Sequence, residues 1–301
     1  MVKVKVRNLE IGNGKPRVMG IINSSPESFY KESISVDKKI ISERAIQMEE
    51  EGADIIDIGG MSTAPYLNTL ISVEKEVERL RNAISAIKKV CNIPLSVDTP
   101  RADAANASIE MGVDLINDVT GLKYDDKMKT IVFSSGLPVI IGAYGNRSTA
   151  YKSGDISETL DILQESILLA TQSGINEDKL IIDPLIGFFR TEGNNPFFTK
   201  ISHQNWYERD IGIIANLKNL SNFSKPICIS VSRKSFLGHL FNLTESERLI
   251  PSIITQVISV LNGAAIIRTH DVKKQKLRWK YSNDCRNVCP LESGRKYLRS
   301  S

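Results

Sequence analysis

Cysteine is scarce in this chain of 301 residues. Cys91, Cys228, Cys285 and Cys289 are too few and too scattered for a disulfide scaffold. Cys285 and Cys289 are close enough in sequence to pair or share a metal, but no second ligand pair lies nearby, and all four read as free thiols. No apolar run approaches the roughly 20 residues of a membrane span. The opening MVKVKVRNLE lacks an apolar core of signal-peptide length, so a cytoplasmic location is expected. Charge of one sign is also missing: the net is +4, with Lys and Arg spread along the chain, which argues against a nucleic-acid partner. The sequence has no HExxH helix, no Walker loop GxxxxGKS/T and no Ser–His–Asp arrangement. These gaps set aside metallohydrolase, P-loop and serine-nucleophile chemistry.

What is present is a regular alternation. Eight short apolar runs stand at 17–23, 54–60, 94–99, 114–119, 138–143, 180–184, 227–232 and 264–270. Runs buried on both faces, with helices between them, are what a parallel sheet requires. Eight such units over about 250 residues describe one α/β domain, a single (β/α)8 TIM barrel over 1–280, followed by a basic tail at 281–301. The segment 71–90 spaces Val73, Val77, Leu80, Ile84 and Ile87 as one helical face, and 157–174 repeats the pattern and closes on Gly174. RLIPSIITQVISVLNG at 248–263 is more apolar. Packing against the barrel explains it best, although contact with a second copy is compatible.

In such barrels chemistry is done where strands end at their C-terminal side. Strand one ends on Asn23, strand two on Asp57 with Ser62 and Thr63, strand three on Asp98, and strand four on Asn117 and Asp118. Strand five offers only Gly142, Ala143 and Tyr144. Strand six ends on Asp183, strand seven on Ser232, Arg233 and Lys234, and strand eight on Arg268, His270 and Asp271. Each aspartate alone can be a helix cap. Converged on one cleft, Asp98, Asn117 and Asp183 suit a planar heterocycle with N–H donors and ring acceptors. Lys234, Arg268 and His270 form a cationic wall suited to phosphate oxygens, with Ser232 as a neutral donor.

VMGIINSSPESFY, GADIIDIGGMSTAP, the stretch PLSVDT to INDVTGL, DPLIGFFR, SVSRKSFLG and IIRTHDV follow one another from residue 17 to about 275. Together they resemble dihydropteroate synthase of folate biosynthesis, among the pterin-binding barrels. The resemblance implies that Asp98, Asn117, Asp183 and Lys234 hold the pterin, with Phe188 nearby. It implies that Asn23 coordinates a Mg2+ bound to pyrophosphate, and that Arg268, His270 and Thr63 bind the pyrophosphate oxygens. Two loops, from Ser24 to Phe29 and from Ser62 to Tyr66, would close over p-aminobenzoate. The implied substrates are dihydropterin pyrophosphate and an arylamine, and the implied assembly is a homodimer. The alternatives are a methyltetrahydropterin:corrinoid methyltransferase domain and a non-catalytic pterin binder. The retained Lys234, Arg268 and His270 argue against the methyltransferase. Departures from the family pattern fall at Met61, Ala64, Leu185, Ser230 with Val231, Gly142 with Ala143, and Arg190. Leu185 is expected to narrow or reshape the pocket, and Ala64 to leave the second loop without its arginine.

Overall fold

The computed structural model describes residues 2–24, 37–145, 150–202 and 205–273. Most of the first loop, Cys285, Cys289 and the tail 281–301 lie outside the described residues. A short antiparallel hairpin opens the chain, β1 (Val4–Val6) and β2 (Leu9–Ile11). Eight parallel strands then close a barrel: β3 (Arg17–Asn23), β4 (Ile55–Gly59), β5 (Leu95–Asp98), β6 (Leu115–Asp118), β7 (Val139–Gly142), β8 (Leu180–Asp183), β11 (Ile227–Ser230) and β12 (Ala264–Thr269). All eight expected runs are strands, trimmed by no more than two residues at an end. A parallel pair, β9 (Phe189–Arg190) and β10 (Thr199–Lys200), lies outside the barrel, after strand six.

Alternation along each strand divides the interior into layers. Met19, Ile55, Leu115, Ile140, Ile181, Cys228 and Ile266 cluster at the lower end, where Val4, Val6 and Ile11 of the hairpin seal the barrel floor. Two residues further along, the same faces carry Ile21, Asp57, Asn117, Gly142, Asp183, Ser230 and Arg268. The core therefore changes from apolar to ionisable within one side-chain layer. Gly142 is glycine for a packing reason: a Cβ there would sit 2.2 Å from the Val119 carbonyl oxygen and 2.6 Å from Leu185 Cδ1.

Among the described residues the α-helices are α1 (Lys38–Glu50), α2 (Val73–Lys88), α3 (Ala102–Glu110), α4 (Met128–Ser135), α5 (Ile156–Gln172), α6 (Trp206–Ala215), α7 (Ser235–Phe241) and α8 (Leu249–Leu261). They follow the sequence pattern with one reversal. α2 buries Leu80, Ile84 and Ile87 as expected. α8 does the opposite of what its apolarity suggests. Ser252, Thr255, Gln256 and Ser259 face the barrel, whereas Ile250, Ile254, Ile258 and Leu261 are 67%, 54%, 41% and 57% exposed. Core packing therefore does not explain this segment. Small hydroxylated residues can face inward because they bond locally: Thr255 Oγ1 donates to Pro251 O at 2.7 Å and Ser259 Oγ to Thr255 O at 2.8 Å. Ser252 Oγ accepts from the Arg233 amide at 2.7 Å.

Arg209, on α6, is buried and ties the loop after strand six to the rest of the fold. Its Nε donates to Gly154 O at 2.8 Å, and Nη2 donates to Pro184 O at 2.9 Å and Thr159 Oγ1 at 3.0 Å. Asp210 pairs with it at 3.1 Å, and the guanidinium lies 3.6 Å from the Phe189 ring centroid. Arg209→Met leaves Asp210 buried without its cation, and is predicted to destabilise the fold by about 3–5 kcal/mol in urea unfolding. A loss below about 1 kcal/mol, the scale of an exposed ion pair, would show that other contacts hold this loop.

Candidate active site

One cavity opens at the C-terminal end of the barrel. Its walls include Asn23, Met61 to Tyr66, Asp98, Gly187, Phe188, Ser230, Ser232, Lys234, Ser235, Arg268 and His270. Asn117 and Asp183 are not on its wall. Both are buried in the ionisable layer beneath, and hydrogen bonds join Asn117 to the wall. Asn117 Nδ2 donates to Asp57 Oδ2 at 3.1 Å, Arg268 Nε donates to that same oxygen at 2.5 Å, and Arg268 Nη2 donates to Asp98 Oδ2 at 2.6 Å. The second oxygens of Asp57 and Asp98 are buried without a hydrogen-bond partner. An acceptor left unpaired in a dry cleft is costly unless a ligand donor satisfies it.

The cationic wall expected from sequence is modified in two ways. Arg268 carries its charge into the site already paired with two carboxylates, and only Nη1 has no hydrogen-bond partner among the described residues. Burial alone would lower its pKa, but Asp57 and Asp98 outweigh this and hold it above its ordinary value. His270 is not a cation. Burial and the neighbouring Arg268 charge push it down to about 3, so the imidazole is neutral at ordinary pH. The Ser232 hydroxyl accepts from the His270 amide at 3.3 Å and lies 3.2 Å from Nδ1.

Lys234 remains a usable cation. Burial pushes it down to about 8, opposed by Asp183. Its Nζ donates to the Ile186 carbonyl and lies 4.6 Å from the Phe188 ring centroid. Gly187, at φ 85°, lets the lysine pass, because a Cβ there would meet Lys234 Cδ at 2.8 Å. Asp183 and Asp98 are both raised by burial, with Lys234 the main opposing charge for the first and Arg268 for the second. Asp183 Oδ1 also accepts the Leu185 amide at 2.7 Å.

Other exit residues turn away or play structural parts. Asp118 accepts from the Thr120 and Leu122 amides, both at 2.8 Å, and braces its own turn. Arg233 pairs with Asp271 at 3.1 Å. Leu185 does not narrow the pocket: it adopts φ 60°, and its side chain packs in the core towards Gly142. Ser62 and Thr63 line the cavity as expected, and Ser62 Oγ accepts from the Ala64 amide at 3.4 Å. Arg190, which replaces a lysine of the family pattern, lies 3.4 Å from the Trp206 ring centroid and donates to Ser235 Oγ at 3.1 Å. Burial lowers it to about 10.

The sequence places Asp57 among the strand-end candidates but assigns it no specific role in the site. The available signal was a carboxylate inside the apolar run IIDIG. Tyr66 enters the expected set only as the end of the second loop, and Ser235, inside the SVSRKSFLG motif, has no expected role of its own.

Residues 19–270 match the family model described as pterin binding enzyme. The dihydropteroate synthase of Clostridium beijerinckii is 33% identical over 272 residues, 90% of this chain and 94% of that protein. Among solved structures, a dihydropteroate synthase from Coxiella burnetii in complex with pteroic acid superposes with a TM-score of 0.80 at 34% identity, covering 96% of this chain and 100% of that one. The dihydropteroate synthase of Xanthomonas albilineans with 4-aminobenzoic acid gives a TM-score of 0.81 at 26% identity, covering 96% and 99%. With most of its length matched in sequence, and with the ionisable layer at the mouth of the same barrel, the chain belongs to the pterin-binding enzyme family, among the dihydropteroate synthases.

Proposed function

We propose that this dihydropteroate synthase joins 6-hydroxymethyl-7,8-dihydropterin pyrophosphate to p-aminobenzoate or a related arylamine through the residues converged at the barrel mouth. The observation that carries the assignment of roles is the unpaired Asp98 Oδ1 beside an Oδ2 already held by Arg268. A ring N–H can pair with Oδ1 while the Arg268 bond stays in place. Asn117, Asp183 and Lys234 complete the pterin site beneath and beside it, with Phe188 against the lysine. Arg268 Nη1, the neutral His270, Thr63 and Ser232 then face the pyrophosphate. The C–O bond to the pterin methylene breaks with its electron pair leaving on pyrophosphate. The arylamine lone pair forms the new C–N bond, and the amine proton passes to pyrophosphate or water. No enzyme nucleophile takes part, so catalysis is positioning plus stabilisation of developing charge. The names of the relatives support this reading.

Asn23 offers the pocket one neutral oxygen, and among the described residues no group of three His, Cys, Asp or Glu converges as a metal cage. This donor set fits a Mg2+ carried largely by the diphosphate, since that ion keeps few protein ligands. Bound there, the ion would neutralise part of the pyrophosphate charge. The outward apolar face of α8 supports a homodimer, because a stripe this regular is suited to a self-complementary helix contact. A cytoplasmic location belongs to the same proposal. Among the described residues no helix is long and apolar enough to cross a membrane.

Three outcomes are expected. Incubated with Mg2+, dihydropterin pyrophosphate and p-aminobenzoate, the purified chain releases pyrophosphate and dihydropteroate, and Asp98→Asn loses about 1.5–3 kcal/mol of pterin affinity by calorimetry. Tight pterin binding without product would replace this reading with a non-catalytic binder. Secondly, kcat/KM falls as pH rises through about 8, where Lys234 loses its proton, and no limb arises from His270 near 6–7. The stability contribution of Lys234 has the opposite sign. Its folded pKa lies below the unfolded value, so a cost present at neutral pH is relieved as pH climbs from about 8 towards 10.5. A Lys234→Gln variant that keeps the alkaline limb would assign it elsewhere. Thirdly, Ile254→Asp gives a monomer by sedimentation with unchanged circular dichroism, whereas a monomeric parent chain would remove the dimer.

A further inference from the structure

The second loop, residues 61–72, lacks its arginine at position 64, yet contacts within the chain hold it in place. β4 and β8 stand four places apart in the ring of eight strands, so the loops that follow them rise from opposite sides of the mouth. The segment 191–198 nonetheless reaches the second loop. The Asn194 amide donates to Pro65 O at 2.7 Å and its Nδ2 to Tyr66 O at 2.9 Å. Asn195 Nδ2 donates to Ala64 O at 2.6 Å and Leu67 O at 3.3 Å, while its Oδ1 accepts the Phe197 amide at 2.9 Å.

The segment is itself anchored. The Tyr144 hydroxyl donates to Pro196 O at 2.8 Å, and the Phe197 ring packs edge-on against Tyr124 at 4.9 Å. Asn195 is 5% exposed, although residues 191–194 before it are all exposed. A buried amide whose donors are spent on carbonyls of a distant loop is a tie between the two segments. Every contact it makes to the loop ends on backbone, so the tie works whatever side chain stands at 64.

We propose that Asn195, aided by Asn194, is a positioning residue for the second substrate. It clasps the loop in the shape that presents Ser62 to Tyr66 to the cavity before the arylamine arrives. That removes an ordering cost which an unclasped loop would meet on binding. The proposal rests on the reaction assigned above.

Asn195→Asp tests it, because the variant keeps the size and the acceptor for the Phe197 amide but sets an oxygen against Ala64 O and Leu67 O. Amide hydrogen exchange across 62–70, measured without substrates, is expected to quicken about tenfold. KM for p-aminobenzoate is expected to rise about fivefold, with kcat and pterin affinity within about twofold of the parent. Unchanged exchange would mean that Asn195 only caps the Phe197 amide, and would overturn the clasp. Faster exchange with an unchanged KM would overturn its part in substrate binding. A parent chain without turnover would sink the assigned reaction, and the exchange measurement would still judge the clasp.

Discussion

The bridge from Arg268 to Asp57 and Asp98 is the constraint around which the barrel mouth is organised. Three buried carboxylates, Asp57, Asp98 and Asp183, stand close to two half-buried cations, Arg268 and Lys234. Removing any of these charges from water is expensive; Arg268 offsets it for Asp57 and Asp98 by direct bonds, whereas Asp183 and Lys234 act on each other without one. The same arrangement sets the state of the neighbours. Arg268 helps keep His270 neutral, and Asp183 limits how far burial lowers Lys234. Asp98 Oδ1, without a partner and on a cavity-lining residue, marks where a ligand's donor improves on the resting structure.

Beneath this layer the barrel is closed by apolar side chains and by the β1–β2 hairpin, which leaves the ionisable layer a single open side. Above it, the walls come from loops whose departures from the family pattern differ in consequence. Leu185 is absorbed by the core: its left-handed backbone costs roughly 1–2 kcal/mol, and its side chain fills space that a Cβ at Gly142 would contest. Arg190 keeps a cation against Ser235 at the cavity wall. Met61 and Ala64 line the cavity itself, without the charged side chains that the family pattern carries there.

Much of this was legible in the sequence. The eight strands follow from runs buried on both faces, and Asp98, Lys234, Arg268 and His270 from their places at strand ends. Period-two alternation made the layers readable in principle, since Asp57, Asn117 and Asp183 each lie two residues beyond an apolar layer residue. The sense of α8 was not legible. Composition says that Ile250, Ile254, Ile258 and Leu261 are apolar, but which face meets the barrel depends on serines and threonines that satisfy themselves through their own turns.

Strand burial and exit position are local properties of period and spacing, so the architecture and the inventory of charges at the mouth can be read from residue order alone. How those charges are used depends on contacts that exist only in the folded barrel. Arg268 became a paired cation, His270 a neutral imidazole and Asp57 the centre of the layer because each is governed by groups far away in sequence and by desolvation, which no local pattern encodes. The clasp of Asn195 on the second loop has the same origin. It joins residues 128 to 131 positions apart, brought together by closure of the barrel.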